Sequence, residues 1–364
     1  MKNSRVLMIL AILYFLLAGC GREDQILPHA LYYLDGSQGK AQVWRLERDG
    51  VTTRQITFEE SGVEDFAVSP RNGALALVSG NSLSVVDSEG RNRRLIAEAP
   101  RDASLKSYYR NTIASPAFSA DGRTLAYGWN GVHLSDLATN RDIHALTNPE
   151  PESDDAQGYA RGVYLPVAWS PEDSRLLITM SYYEGYQLAV LQPGMETAPV
   201  QLTPETAVCC QFSWTPDGKS ILAATPFFTG TVPGLWRYDA QTGEQTLALP
   251  ARDSAGYTHF YGWPYQSAAG ELTFFYASLK EYPTSDAILF SLVRGNEKGA
   301  NIQNLHAEEF SIRTALWSPD GAFVVIVGNW EGGEKKMGIV SPGKDEIKIL
   351  IDDASLIDNL TWGP

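Results

Sequence analysis

After residue 28 the chain alternates short apolar runs with polar turns almost to its end. The clearest instance is Leu316-Trp317-Ser318-Pro319-Asp320-Gly321-Ala322, followed by the apolar run Phe323 to Gly328. It predicts a strand, a tight turn and a second strand. Proline presets φ in the turn, and Asp-Gly supplies a side-chain acceptor and a permissive backbone. Related phrases recur with the residue before the turn at Val68, Phe118, Trp169, Trp214, Trp263, Trp317 and Trp362. Successive anchors lie 50, 51, 45, 49, 54 and 45 residues apart. A period of that size signals a propeller or a solenoid, and four strand-like runs per unit favour the propeller.

The last phrase has one strand and then Pro364, whereas "HALYYLDG", "AQVWRLERDG" and "TRQITF" near the start supply three strands with no inner partner. Joining them completes one unit from both ends and removes exposed edges. The expected fold is therefore all-β: a seven-bladed β-propeller of four-stranded antiparallel blades, closed by its N- and C-terminal strands. The fifth phrase, "GWPYQSAAG", has a degenerate turn, so six or eight blades are conceivable.

The "WSPDG" phrase with a following "LAY"-type strand resembles the TolB-like, WD-repeat-like propeller family. Similar propellers precede the hydrolase domain of prolyl oligopeptidases and dipeptidyl peptidases. The resemblance covers nearly all of the chain and implies the fold, but many activities share that fold. No GxSxG elbow, Walker-type loop or GxGxxG occurs, and the expectation is a propeller without a hydrolase domain.

The first twenty residues break the pattern. Lys2 and Arg5 precede an apolar run from Val6 to Ala18, short for a membrane span. The run ends in Leu17-Ala18-Gly19-Cys20, which resembles the bacterial lipobox. That resemblance implies a signal peptide over 1–19, a lipidated Cys20 as mature N-terminus with a tether to residue 28, and one domain over 29–364. The expected location is the bacterial cell envelope, outside the cytoplasmic membrane. Cys209 and Cys210 are adjacent and are read either as a vicinal disulfide or as two small buried thiols.

The formal charge is −14, and −16 without the first 19 residues. This excess argues against nucleic acid and against electrostatic docking on anionic lipid, leaving the anchor as the membrane contact. The acidic run Glu150 to Asp155 lacks the spacing of a calcium loop and reads as a solvated connection.

Antiparallel blades put the turns between strands one and two, and three and four, on one face. The connections between strands two and three, and between blades, lie on the other. The first set is compact; the second is long, aromatic or charged. Binding is expected on the elaborated face, whereas turn changes such as those at Asn140 or Thr242 should cost only local energy. Four residues before each anchor the channel mouth reads Glu64, Ala114, Leu165, Cys210, His259, Arg313 and Asp358. Arg313 and Asp358 are read as an inter-blade ion pair or as part of a site. Tyr109, Tyr182, Tyr183, Phe228 and Trp330 are the candidate aromatic contacts. The leading expectation is a monomeric binding or scaffold protein for a cell-envelope protein, peptide or glycan, with no metal or cofactor. The alternative is a metal-assisted hydrolase or lyase built on Glu64, His259 and Asp358.

Overall fold

The computed structural model describes residues 25–100, 111–149, 162–182, 185–195, 198–203, 211–225, 234–281, 288–296, 301–330 and 334–364. Among them every regular element is a β-strand, and all strand pairs are antiparallel. No helix among the described residues is long and apolar enough to cross a membrane.

One sheet draws on both ends of the chain. β1 (Leu31–Asp35), β2 (Gln42–Leu46) and β3 (Thr53–Gln55) run outward in order, and the free edge of β1 takes β27 (Ile357–Trp362). Leu31 faces Trp362 and Asp35 faces Ile357. The second sheet is β4 (Asp65–Val68), β5 (Leu75–Ser79), β6 (Ser82–Val86) and β7 (Arg94–Glu98). The third is β8 (Ala114–Phe118), β9 (Thr124–Gly128), β10 (Gly131–Asp136) and β11 (Arg141–Thr147). Then come β12 (Val163–Trp169), β13 (Leu176–Tyr182), β14 (Gly185–Leu191) and β15 (Val200–Gln201). The fifth sheet is β16 (Gln211–Trp214), β17 (Ser220–Ala224), β18 (Gly234–Asp239) and β19 (Gln245–Pro250).

The sixth sheet has seven strands. It holds β20 (Thr258–Gln266), β21 (Leu272–Leu279), β22 (Phe290–Gly295), β23 (Gln303–Trp317), β24 (Val324–Asn329), β25 (Lys336–Val340) and β26 (Ile347–Ile351). β23 pairs with β22 through its first part and with β24 from Ser311 to Trp317. First strands of successive sheets adjoin, as in β4 against β8, β8 against β12 and β27 against β4, so the arrangement is propeller-like.

The continuous apolar run of β24 follows from burial on both faces. Val324 and Ile326 join a core with Phe275, Phe290 and Phe310, whereas Val325 and Val327 join Leu31, Tyr33, Met337 and Trp362. Each sheet is sandwiched by its neighbours, and the core lies between sheets.

The repeated phrase supplies both the turn and the lock between sheets. Ser318 Oγ donates to Asp320 Oδ1 at 2.6 Å and accepts from the Phe323 N–H at 3.0 Å. Gly321 sits at φ 67°, and a Cβ there would lie 2.2 Å from the Tyr265 ring. The same side-chain turn recurs at Ser119–Asp121 and Thr215–Asp217. The preceding Trp reaches sideways. Indole N–H groups of Trp169, Trp214, Trp317 and Trp362 donate to carbonyls of Ala117, Ala168, Trp263 and Trp317, at 3.1, 3.2, 2.8 and 2.8 Å. Trp169, Trp214 and Trp362 thus staple neighbouring sheets, and Trp317 ties β23 to β20 within the seven-stranded sheet.

The fifth phrase departs from the sequence expectation. β20 runs on through Trp263, which adopts φ 46° within a bulge, and Gln266 is the residue paired opposite Leu272 at the turn. The Ser267–Gly270 turn follows. The structural anchor is thus Gln266, three residues beyond Trp263.

The turn carboxylates set an acid limit on stability. Hydrogen bonds from Ser318 and Ala322 hold Asp320 below the usual range, and Thr215 and Lys219 do the same for Asp217. At Asp121 the Arg123 backbone and Ser119 act likewise. A folded-state pKa below the unfolded value stabilises above the unfolded value and loses that stability as pH falls through the folded one. Thermal midpoints should therefore fall as pH drops below about 4. Asp121→Asn, Asp217→Asn and Asp320→Asn combined should flatten that limb. An unchanged acid limb in the triple variant would show that these turns do not set it.

Candidate functional site

The sheet topology places the ends of β5, β9, β13, β17, β21 and β24 on the face carrying the longer connections. Tyr109, Tyr183 and Phe228 lie outside the described residues, as do Cys20, Cys209, Cys210 and the run from Glu150 to Asp155. Tyr182 closes β13, but its side chain is also outside them.

Of the described members of the mouth column, Arg313 and Asp358 meet, whereas Glu64 and His259 bond elsewhere. Glu64, just before β4, is exposed and accepts from the Gly80 N–H at 3.1 Å. Arg313 Nη2 stands 3.4 Å from Asp358 Oδ2, and its Nη1 donates to the Ser355 carbonyl at 3.0 Å. This is the inter-sheet ion pair, but it is exposed, and such a pair contributes about 0–1 kcal/mol.

His259 falls elsewhere because the anchor of its sheet is Gln266. It sits at the far end of the long β20, opposite Ser278. There Nδ1 meets the Tyr276 hydroxyl at 2.9 Å, and Nε2 lies 3.5 Å from Asp253 Oδ2. The Asp253 carboxylate is held low, chiefly by backbone N–H donors led by Tyr257. All three groups belong to one blade edge and its approach. Among the described residues no group of three His, Cys, Asp or Glu side chains is placed to hold a metal. The proposed set of Glu64, His259 and Asp358 is not assembled.

The residues that meet at the centre lie one position further on. Asp65 Oδ2 accepts from the Ser115 N–H at 2.9 Å, and Oδ1 accepts from Asn359 Nδ2 at 2.8 Å and from the Phe66 N–H at 2.8 Å. One carboxylate thus joins β27, β4 and β8. Burial pushes its pKa up, against the pull of these donors. The geometry depends on bulges: Ser115 has φ 53° and Asn359 has φ 46°. A cavity of about 580 Å³ lies here, lined by Asp65, Ser115, Pro166 and Asn359. Pro70 and Pro171 also line it, so it reaches toward the compact turns. A clue in the sequence was the polar residue three before the anchor, at Asp65, Ser115 and Asn359.

Compact turns are also less independent than expected. Arg94 Nη1 donates to Asn140 Oδ1 at 2.8 Å and to the Leu137 carbonyl at 2.7 Å, tying the Asn140 turn to the neighbouring sheet. Thr242 bonds within its own turn to Asp239. The local-cost expectation therefore holds its footing at Thr242 and not at Asn140.

Trp330 follows β24 and is half-buried. It packs edge-on against Phe310, ring centres 6.1 Å apart, and a Cβ on Gly338 would come within 3.0 Å of the indole. Its remaining surface lines a groove shared with Leu289 and Glu309.

No protein-family model matches the chain, and no curated protein matches it significantly. Solved structures do. A structure from a study of two prolyl endopeptidases aligns with TM-score 0.60 at 12% identity, over 91% of this chain and 49% of that one. An oligogalacturonate lyase from Vibrio parahaemolyticus gives 0.55 at 14%, covering 86% of each chain. TolB from Acinetobacter baumannii gives 0.47 at 14%, over 93% of this chain and 68% of that one. The chain spans about half the length of the prolyl endopeptidase. At such identities the likeness concerns the fold.

Proposed function

We propose that the chain is a closed seven-bladed ring, lipid-anchored through Cys20 outside the cytoplasmic membrane, that binds a cell-envelope protein, peptide or glycan without transforming it. The seven-blade reading is supported by β23, whose first part pairs with β22 and whose second part pairs with β24, as the last strand of one blade and the first of the next would. The pairing of β1 with β27 supports closure through the two ends of the chain.

The observation that carries the binding reading is the asymmetry between faces. Turns on one face are short and bonded to each other across sheets, which suits a rigid base. The opposite face carries the longer, aromatic-rich connections of the sequence. Loops on a rigid scaffold commonly hold binding sites. The enzymatic alternative loses its proposed residues, because His259 is bonded within its own blade, away from the mouth column.

The test is recovery of partners from membranes with the full-length lipidated protein. Tyr182→Ala, Tyr183→Ala and Phe228→Ala should each weaken capture, because aromatic hot spots typically lose about 2 kcal/mol or more on truncation. Thr242→Ala should leave capture intact. Cys20→Ser should give an uncleaved or mislocalised precursor. Silent aromatic variants combined with loss at Thr242 would reverse the facial assignment, and a Cys20→Ser protein still anchored and processed would end the lipoprotein reading.

A further inference from the structure

β23 carries an irregularity that the repeat does not require. Between the pairs Ser291–Glu309 and Val293–Asn304, β22 advances two residues while β23 advances five. The surplus residues bulge out around Leu305 to Glu308. They are pinned from behind: the Ala307 N–H donates to Asp345 Oδ1 at 3.1 Å, and the Leu305 carbonyl accepts from the Gly343 N–H at 3.0 Å. His306 is buried inside the bulge at 5% exposure, where Nδ1 accepts from the Glu308 N–H at 3.0 Å. Its Nε2 has no hydrogen-bond partner among the described residues. A bulge that leaves a buried polar atom unsatisfied costs stability, and bulges of this kind serve to re-aim side chains.

The side chains re-aimed here are acidic. Glu308 and Glu309 stand exposed on the rim of a groove of about 620 Å³. Neither has an ion-pair partner among the described residues, and Glu309 accepts only a long bond from Ser291 Oγ at 3.4 Å. The same groove carries apolar surface from Leu289, which is 48% exposed, and from Trp330, which packs on Phe310, beside the polar Ser291, Asn304 and Ser311. Leu289 immediately precedes β22 and Trp330 follows β24, so the groove meets the face with the longer connections.

We propose that this groove is a docking site for a short extended segment of a partner protein that combines apolar side chains with lysine or arginine. The apolar residues cover Leu289 and Trp330, and the cations meet Glu308 and Glu309. Charge complementarity selects this occupant: an acidic or neutral segment would leave the two carboxylates uncompensated beside a desolvated contact. The inference rests on the reading of the chain as a binding protein and names one of its contact sites.

The full chain in zwitterionic-lipid nanodiscs is titrated with a fluorescent capped hexapeptide of alternating lysine and leucine, with empty nanodiscs as background. The lysine-to-glutamate and leucine-to-serine forms of the peptide are run beside it. Glu308→Lys with Glu309→Lys should weaken the lysine–leucine peptide by about tenfold or more, since each site turns from attraction to repulsion. Glu98→Lys with Glu244→Lys changes the net charge equally, at exposed sites outside the groove, and should change affinity less than about twofold. Leu289→Ser should also weaken binding, and the glutamate and serine peptides should fail to bind. Equal loss in both charge-reversed pairs, equal binding of the serine peptide, or no binding at all would overturn the proposal. If the Glu308/Glu309 variant still captures the membrane partner as well as wild type, the groove is not its contact, and the binding-protein reading stands without it.

Discussion

Deleting Leu356 to Pro364 is expected to destabilise the whole propeller-like fold and not merely fray a tail. The segment contains all of β27, with Ile357 at 2% exposure and Trp362 at 8%, packed into one core with Leu31, Tyr33, Val325 and Met337. Its backbone completes the ladder along β1. The deletion also removes the Trp362 bond to the Trp317 carbonyl and the Asn359 bond to Asp65, which tie this sheet to both neighbours. Truncating one buried Trp costs about 3–5 kcal/mol, and the ladder and Ile357 add to that. Since a whole domain is stable by about 5–15 kcal/mol, most of that margin is removed. A scan should show a midpoint lower by about 10 °C or more, or no cooperative transition. An unchanged midpoint would mean that β27 does not complete the sheet.

Trp317→Ala should produce the next largest loss, about 3–5 kcal/mol. The indole stacks on Tyr265 with ring centres 5.3 Å apart and donates to the Trp263 carbonyl at 2.8 Å. Trp317→Phe separates the two contributions. It keeps most of the ring contact and loses the hydrogen bond, so it should cost about 1 kcal/mol plus the expense of an unpaired carbonyl. Denaturant midpoints for the two variants should therefore differ widely at similar slope. Equal losses would show that the bond from β23 to β20, and not packing, carries the effect. No loss in either would remove the staple from the account of what holds the fold together.

Strand identity and turn position were legible in the sequence because both are local. Alternation decides which side chains are buried, and Ser-Pro-Asp-Gly closes its own turn with its own side chains, as at Ser318 and Asp320. The partner strand of β1 was legible too, since the first unit lacked an inner strand and the last had only one. What tertiary structure alone decided is whatever depends on register between sheets. The groups that meet are Asp65, Ser115 and Asn359, one position beyond Glu64, Ala114 and Asp358, and the irregular pairing of β8 and β27 that brings the last two to Asp65 is not visible in residue spacing alone. The continuation of β20 past Trp263 to the Ser267–Gly270 turn made Gln266 the anchor and carried His259 out of the column. The indole bonds between sheets and the bulge that raises Glu308 and Glu309 were equally hidden. Local pattern records what a strand does with its neighbours in sequence, whereas each of these contacts joins residues brought together only by packing one sheet on the next.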